Sequence, residues 1–215
     1  MKRPPMTNPP PSVDPSPTHG TESDPRTRAE RSIPLNAGSG DAAPGVTIRA
    51  ATVDDAAPLA ALAERIFIDT YAPDTRAEDV AAFVAQAFGP EKQAAELADA
   101  RSTYLVAEVD GRLAAYAFLR RTVDPPFEVG PAPLEVARFY VAHAWHGRGI
   151  AAALMDGVLR EAALRGARTV WLFVWERNPR ALAFYRKQGF TVVGRVQFLM
   201  GTDLQDDHVM SRPLP

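Results

Sequence analysis

Apolar and polar residues recur with two different periods along residues 46–213, and the changes of period predict the secondary structure. Short apolar runs with the length and composition of strands occupy 46–51, 104–109, 112–121, 134–141, 169–175, 190–196 and 208–212. Helical patterns occupy about 52–71, 75–88, 90–99, 149–165 and 178–189. Strand hairpins in the first half and strand–helix–strand units in the second predict an α/β or α+β fold, a mixed sheet covered by helices.

Residues that favour turns and helix starts define the ends of these elements. Asp110-Gly111 between two strand runs is a typical hairpin turn. Thr52, three residues before Asp55, indicates the start of the first helix, and Thr75, three residues before Glu78, predicts a stronger capping box for the second. Asn178 followed by a proline predicts the N-cap of the last helix.

Residues 1–45 have a different composition from the rest of the chain. They contain ten of the 20 prolines and no Phe, Tyr or Trp. Such a segment cannot bury enough apolar surface to offset the entropy of ordering, so we expect a disordered tail followed by one folded domain over 46–213.

Composition excludes several classes of protein. The absence of cysteine rules out disulfides, thiolate metal sites and a cysteine nucleophile. No apolar run approaches the length of a membrane span, and the N-terminus lacks the apolar region of a signal peptide, so we expect a cytoplasmic protein. A net charge of −2 gives no overall attraction to nucleic acid.

Two glycines that open a helix after a buried strand indicate a phosphate site. Gly147 and Gly149 follow the strand at 134–141, and the unpaired N–H groups of a helix start attract phosphate. The P-loop signature is absent. The run 147–152 matches the dinucleotide fingerprint as a string, but five residues separate it from the strand, and too little sheet follows for a dinucleotide-binding fold.

Two linked motifs are similar to those of a known family. Leu134-Glu-Val-Ala-Arg-Phe-Tyr-Val141 with His146-Gly-Arg-Gly-Ile-Ala151 resembles motif A of the GNAT N-acetyltransferases. Trp175-Glu-Arg-Asn-Pro-Arg-Ala-Leu-Ala-Phe-Tyr-Arg-Lys-Gln-Gly-Phe190 resembles their motif B, in the same order and spacing. His146 departs from the family pattern, which has Gln or Arg at this position.

The resemblance implies a mostly antiparallel sheet of about seven strands with a V-shaped opening between the fourth and fifth. Acetyl-CoA would bind there as co-substrate, its pantetheine arm along the fourth strand and its pyrophosphate on the amides of 146–151. The implied cofactor-binding residues are Phe139, Tyr140, Val141, His146, Gly147, Arg148, Gly149, Ile150, Ala151, Asn178 and Tyr185. From the residues alone, Arg148 is equally well read as a solvated arginine, and Asn178 as an N-cap with no ligand.

The same resemblance implies a general acid and leaves the base open. Tyr185 stands at the position of the tyrosine that acts as general acid in the family. A phenol is protonated at neutral pH and can donate its proton to the leaving thiolate. The alternative role for Tyr185 is that of an aromatic side chain that only packs the last helix against the core. Glu135, at the start of the central strand, is the predicted base, acting through water; other candidates are Asp69, Tyr71, His143 and Glu176. The four histidines lack metal-ligand spacing, so no metal is expected.

The expected reaction is direct attack of a primary amine on acetyl-CoA. Residues 46–100 hold ten acidic and four basic residues, against eleven and fifteen in 101–215, which hints at a cationic small molecule on the acidic side. Ordinary surface charge explains the same numbers. Segments 67–71 and 201–210 resemble the bacterial spermidine/spermine acetyltransferase-like branch. Acetylation of protein N-termini or lysines, and a non-catalytic acyl-CoA-binding regulatory domain, are the alternatives; a homodimer is left open.

Overall fold

The computed structural model describes residues 45–73, 75–122, 125, 127–200 and 203–215. All but the last residue of the predicted tail lies outside this part of the chain. The strands are β1 Val46–Ala50, β2 Ser102–Val109, β3 Arg112–Arg120, β4 Pro133–Val141, β5 Thr169–Trp175, β6 Thr191–Met200 and β7 Asp203–Pro213. The helices are α1 Ala56–Tyr71, α2 Ala77–Ala87, α3 Pro90–Ala98, α4 Ile150–Leu164 and α5 Pro179–Lys187.

The strands form one seven-stranded sheet in the order β1-β2-β3-β4-β5-β7-β6. Every neighbouring pair is antiparallel except β4 and β5, which run parallel. The predicted mixed, mostly antiparallel sheet covered by helices is therefore confirmed. The β2–β3 hairpin turns at Asp110 and Gly111, whose φ angles of 50° and 71° are those of the turn that this dipeptide predicts.

The sheet opens between β4 and β5. Their pairing begins at Pro133 with Thr169 and stops at Glu135 with Trp171, so the later residues of the two strands have no partner across the gap. Both strands remain paired on their outer sides, β4 to β3 and β5 to β7. This divergence produces the V-shaped opening that the resemblance implied.

Helices cover the two faces of the sheet and create two separate cores. One core packs α4 and α5 against the sheet around buried residues such as Leu154, Val158 and Leu182. The other packs α1, α2 and α3 against the opposite face around residues such as Leu59, Phe67 and Tyr104. The opening therefore lies between two differently built helical layers.

A bulge in β4 sets the direction of side chains beside the opening. Phe118 pairs with Arg138 and Leu119 with Val136, which leaves Ala137 as an extra residue. After this shift, Arg138 and Tyr140 contact the α1–α3 layer, whereas Phe139 packs against the α4–α5 core.

Two sequence expectations need correction. Arg76, not Thr75, occupies the N-cap of α2, and the Thr75 hydroxyl instead accepts a hydrogen bond from Gln205 at 3.3 Å. Strands β6 and β7 are longer than predicted, because polar residues of 203–207 continue the ladder without an apolar pattern. Among the described residues, no helix has both the length and the apolar composition needed to cross a bilayer.

Candidate active site

The glycine loop at the start of α4 provides an open set of backbone N–H groups. Gly147 and Gly149 have φ angles of 75° and 78°, in the region that favours glycine, and Gly149 is the N-cap. A Cβ placed at Gly147 would meet no atom within 4 Å. The first N–H groups of a helix lack partners within the helix. This loop therefore fits a pyrophosphate, and it contains the predicted residues Ile150 and Ala151 at the first two helical positions.

His146 and Arg180 lie beside the loop. The Nε2 atom of His146 is 2.9 Å from the carbonyl oxygen of Val141, and the Arg180 guanidinium contacts the other ring nitrogen. Burial is the main reason that the pKa of His146 is lowered, with Arg180 adding to the effect. A neutral His146 donates to Val141, so this histidine ties the end of β4 to the loop. Arg148, in contrast, is exposed and lies over the Trp145 ring at 5.1 Å.

A cavity of about 740 Å³ runs from this loop through the opening in the sheet. One half lies along β4, α4 and α5; the other extends under α1, α2 and α3. Of the predicted cofactor-binding residues, those that line it are Phe139, Tyr140, Val141, His146, Gly147, Gly149, Ile150, Ala151, Asn178 and Tyr185; Arg148 does not. Asn178 also caps α5, because its side-chain oxygen accepts from the Ala181 N–H at 3.0 Å.

Tyr185 is one of the residues that line the cavity. It is 6% exposed on α5, and its ring packs edge-on against Phe139 of β4 and Phe190. Burial, with a smaller contribution from Tyr140, raises the pKa of the Tyr185 phenol above its usual value of 10. The phenol is therefore protonated at neutral pH and able to donate.

Asp207 of β7 lines the cavity near Tyr71 and Tyr140. Burial raises the pKa of its carboxyl to about 6, and the negative charges of Asp206 and Glu176 contribute. Within the part of the chain that the structure describes, the carboxylate has no ion pair or hydrogen bond to another residue. A carboxylate in this state can accept a proton near neutral pH.

Glu135 is engaged in a different way. Its carboxylate is 2% exposed and accepts two hydrogen bonds from Arg120, at 2.8 and 3.1 Å, and one from the Thr122 hydroxyl. Such two-point pairing with a guanidinium fixes the orientation of a carboxylate and occupies its oxygens. Glu135 reaches the cavity, but it does so as one half of an ion pair.

Basic side chains surround the far end of the cavity. Arg138 forms an ion pair with Glu96, at 2.7 and 3.0 Å, and lies between the rings of Phe88 and Phe118. Lys92 donates to the Gln86 carbonyl oxygen at 3.0 Å. Burial lowers the pKa of Lys92, and the nearby Arg138 lowers it further.

The other candidate bases are divided between two sites. Tyr71 lines the main cavity, whereas Asp69 and His143 line a shallower depression beside the loop. Glu176 lies 3.8 Å from Arg195. No group of acidic or histidine residues in the described ranges is arranged to hold a metal ion.

Sequence reasoning missed several residues of this cavity, among them Lys92, Arg180 and Asp207. Arg180 could have been found from its place just after the N-cap of α5, since that helix start approaches the phosphate loop. Asp207 carries one usable signal, the two-residue spacing of Gln205, Asp207 and Val209, which places them on one face of a strand. Nothing in the sequence near Lys92 distinguishes it from a surface lysine.

Comparison with known proteins agrees with this geometry. The sequence model of the Acetyltransferase (GNAT) family matches residues 63–190. An uncharacterised N-acetyltransferase of Mycobacterium tuberculosis is 39% identical over 160 residues, covering 74% of this chain and 98% of the relative. Streptothricin acetyltransferase of Streptomyces lavendulae is 32% identical over 130 residues, covering 59% of this chain and 65% of that protein.

The fold is shared with solved structures. The PaiA N-acetyltransferase of Thermoplasma acidophilum, solved in complex with coenzyme A, superposes with a TM-score of 0.66 at 20% identity, over 79% of this chain and 99% of that one. The glycine loop, the opening between β4 and β5 and the family match agree with one another. The chain therefore belongs to the GNAT acetyltransferase family, whose enzymes take their acetyl group from acetyl-CoA.

Proposed function

We propose that this acetyltransferase acts on a primary amine of a small molecule, by direct attack on acetyl-CoA without a covalent enzyme intermediate. One observation carries the proposal: a single cavity joins the glycine loop to the protonated Tyr185 hydroxyl and the unpaired Asp207 carboxylate. These are the groups that a transfer to an amine needs, namely an anion site, an acid and a base.

Binding of the co-substrate is assigned to the α4 side of the cavity. The amides of 146–151 hold the pyrophosphate, with Arg180 beside them, and the acyl chain follows β4 past Phe139. Acetyl-CoA supplies an electrophilic carbonyl carbon and a thiolate leaving group. The packing of Tyr185 against Phe139 holds the hydroxyl at the place where β4 and β5 have separated.

The base is assigned to Asp207 rather than Glu135. Proton transfer from the incoming ammonium to Asp207 frees the nitrogen lone pair, which forms the N–C bond. The C–S bond then breaks, the departing sulfur takes its proton from Tyr185, and the extra proton of the newly bonded nitrogen passes to the Tyr185 phenolate. The products are the neutral amide and the free thiol, with one proton left on Asp207. Glu135 is unsuited to the first step because both of its carboxylate oxygens already accept hydrogen bonds from Arg120, and we assign it the role of fixing Arg120 at the cavity wall.

A polyamine acceptor remains a prediction from the sequence. The charge argument from the sequence does not extend to the cavity, because the described residues of 46–100 that line it include Lys92 and no acidic residue. The carboxylates that support a cationic amine instead lie on β7 and just after β5, at Asp207, Asp206 and Glu176.

Release of free thiol from acetyl-CoA, measured over a panel of amines with and without Tyr185→Phe, tests the proposal. The panel includes spermidine, monoamines, amino acids and a peptide with a free N-terminus. We expect Tyr185→Phe to lower kcat by about 10²–10⁴-fold while acetyl-CoA affinity changes little, because the ring remains. Tyr116→Phe is the matched control, since its buried hydroxyl has no described partner and lies outside the cavity.

Each result has a definite meaning. Equal loss of kcat in both variants would return Tyr185 to a packing role. Turnover of the peptide alone would favour a protein acetyltransferase. Tight binding of acetyl-CoA with no thiol release from any amine would favour the non-catalytic acyl-CoA-binding domain and reject the proposal.

A further inference from the structure

In the described part of the chain, two side chains of opposite charge line the α1–α3 side of the cavity without forming an ion pair. They are Lys92, in the first turn of α3, and Asp207, on β7. Arg180 and Lys187, which also form no ion pair there, lie on α5 at the cofactor side. We infer that the acceptor amine carries an anionic group at its other end, which Lys92 binds while Asp207 receives the amine. This inference rests on the proposed function, since it takes the cavity under α1–α3 to be the acceptor site.

The neighbouring cations already have partners. Arg138 is neutralised by Glu96 in a two-point ion pair, in which both side chains are less than a fifth exposed. Arg120 is neutralised by Glu135 in a second two-point pair. Pairs of this geometry are held firmly and leave little capacity for another anion. Neither arginine therefore requires a ligand.

Lys92 is different because its ammonium is only partly satisfied. It donates one hydrogen bond, to the Gln86 carbonyl oxygen, and an ammonium has three N–H groups. Burial, Arg138 and Arg120 lower the pKa of this ammonium, and Glu96 opposes them, so neighbouring positive charge is one of the causes that disfavour its ionised form. A carboxylate or phosphonate from a ligand would remove this repulsion and fill the two remaining N–H groups.

Asp207, on the other side of the acceptor site from Lys92, lies among groups of its own charge. The charges around it are the carboxylates of Asp206 and Glu176, and the hydroxyls of Tyr71 and Tyr140 are close by. A bound ammonium would offset that negative charge next to the Tyr185 acid. The amine of the acceptor therefore belongs at Asp207, and the anionic group at Lys92.

Aromatic rings form the wall between these two ends. Phe67, Phe83 and Phe88 form a cluster with ring centroids 4.6 to 6.2 Å apart, and Phe118 completes the lining beside Arg138. Such a wall favours an apolar body on the ligand. The arrangement selects an amino-carboxylate or similar zwitterion over a polyamine, whose second ammonium would meet Lys92.

Matched pairs of amines test this inference. The two members of each pair differ in whether a carboxylate is present. The amino acids are ω-amino acids of three to six carbons, leucine and phenylalanine, and each is compared with the amine that lacks its carboxylate. Aminoalkylphosphonates and diamines of the same lengths complete the set. Because an added charge-assisted hydrogen bond gives about tenfold or more, we expect kcat/KM for at least one anionic member to exceed that of its plain partner by this factor.

Substitutions at Lys92 then connect this ratio to the residue. Lys92→Met should reduce the ratio to about threefold or less, Lys92→Arg should keep it above about fivefold, and Lys92→Glu should favour the diamine. Arg76→Met is the control, since it removes one positive charge from an exposed side chain of the same acidic segment and should leave the ratio unchanged. The phosphonates show whether the subsite prefers a carboxylate.

The inference and the proposed function fail in different ways. A wild-type preference for plain amines or diamines, or an anion preference that survives Lys92→Met, overturns the inference and leaves the acetyltransferase intact. No turnover with any amine rejects the proposed function. In that case, calorimetry of N-acetylated amino acids with the CoA-bound protein still tests the Lys92 subsite. If these compounds bind more tightly than the matched neutral amides, and Lys92→Met removes the difference, the subsite is supported. Equal binding of the two sets of compounds overturns it.

Discussion

The two halves of the cavity use different parts of the polypeptide to meet a ligand. On the α4 side, the groups available are backbone amides in a glycine loop, with few charged side chains close to them. On the α1–α3 side, the described lining residues act through side chains: aromatic rings, the paired arginines Arg120 and Arg138, and the charges of Lys92 and Asp207 that form no ion pair. Backbone binding suits a co-substrate common to a whole family, whereas side chains can change without altering the fold. We therefore assign binding of the co-substrate to the α4 side and choice of the acceptor to the α1–α3 side.

Removing the Asp207 carboxylate should have the largest effect on the acceptor half. Asp207→Asn should lower kcat/KM by about 10²–10⁴-fold, the usual contribution of a general base. The base must be ionised, and its pKa is raised to about 6, so wild-type kcat/KM should rise with pH up to about 6 and then level off. In the variant, only amine that is already neutral in solution can react. The variant's kcat/KM should therefore keep rising with pH until the pH reaches the pKa of the amine.

The same substitution separates catalysis from stability. A carboxyl group whose pKa is raised by folding disfavours the folded state above its unfolded pKa, so ionised Asp207 lowers stability as pH rises from about 4 to 6. Asp207→Asn should therefore not lower the Tm at pH 7. A lowered Tm together with an unchanged pH profile would mean that Asp207 has a structural role, and the base would have to be sought elsewhere.

The ion pair of the acceptor half should contribute strongly to stability. Glu96→Gln keeps the size of the side chain but leaves the Arg138 guanidinium without its counter-charge, in a pair whose side chains are 12% and 16% exposed. We expect a loss of about 2–3 kcal/mol in the free energy of unfolding, because an unpaired charge remains in a largely buried place. Urea titration of the two proteins measures this difference.

Glu78→Gln is the matched control for that experiment. It breaks the pair with Arg76, which is 3.9 Å long and has side chains 70% and 79% exposed. Surface pairs of this kind contribute little, so the change should stay within about 0.5 kcal/mol. Equal effects of the two substitutions would show that the acceptor wall does not depend on the Arg138 ion pair.

The two halves also differ in how far the sequence predicts them. Gly147 and Gly149 lie between the end of β4 and the start of α4, so a short segment carries the whole signal of the phosphate loop. The acceptor half joins Lys92 of α3, Arg138 of β4 and Asp207 of β7, which are far apart in the chain. Only the fold brings them together, and no local pattern records their proximity.

Glu135 shows the same limit within a single strand. The sequence places it correctly at the start of β4, on the line of the opening. Its pairing with Arg120 depends on the register between β3 and β4, including the bulge at Ala137, which side-chain patterns do not reveal. Predicting a role for a titratable residue therefore requires its neighbours as well as its position.

The smallest expected effect concerns the cofactor half and returns to its backbone chemistry. Gly149→Asp places a negative side chain at the helix start, against the pyrophosphate, in a backbone conformation with φ 78° that favours glycine. CoA affinity should fall at least about tenfold, or ~1.4 kcal/mol, by calorimetry. Gly166→Asp is the matched control: its φ is 71°, it lies just beyond the other end of the same helix, and a Cβ there meets no atom within 4 Å. Because both variants carry the same backbone strain and the same added charge, a loss confined to Gly149→Asp measures ligand contact alone. Equal CoA affinity in the two folded variants would remove the pyrophosphate from this loop.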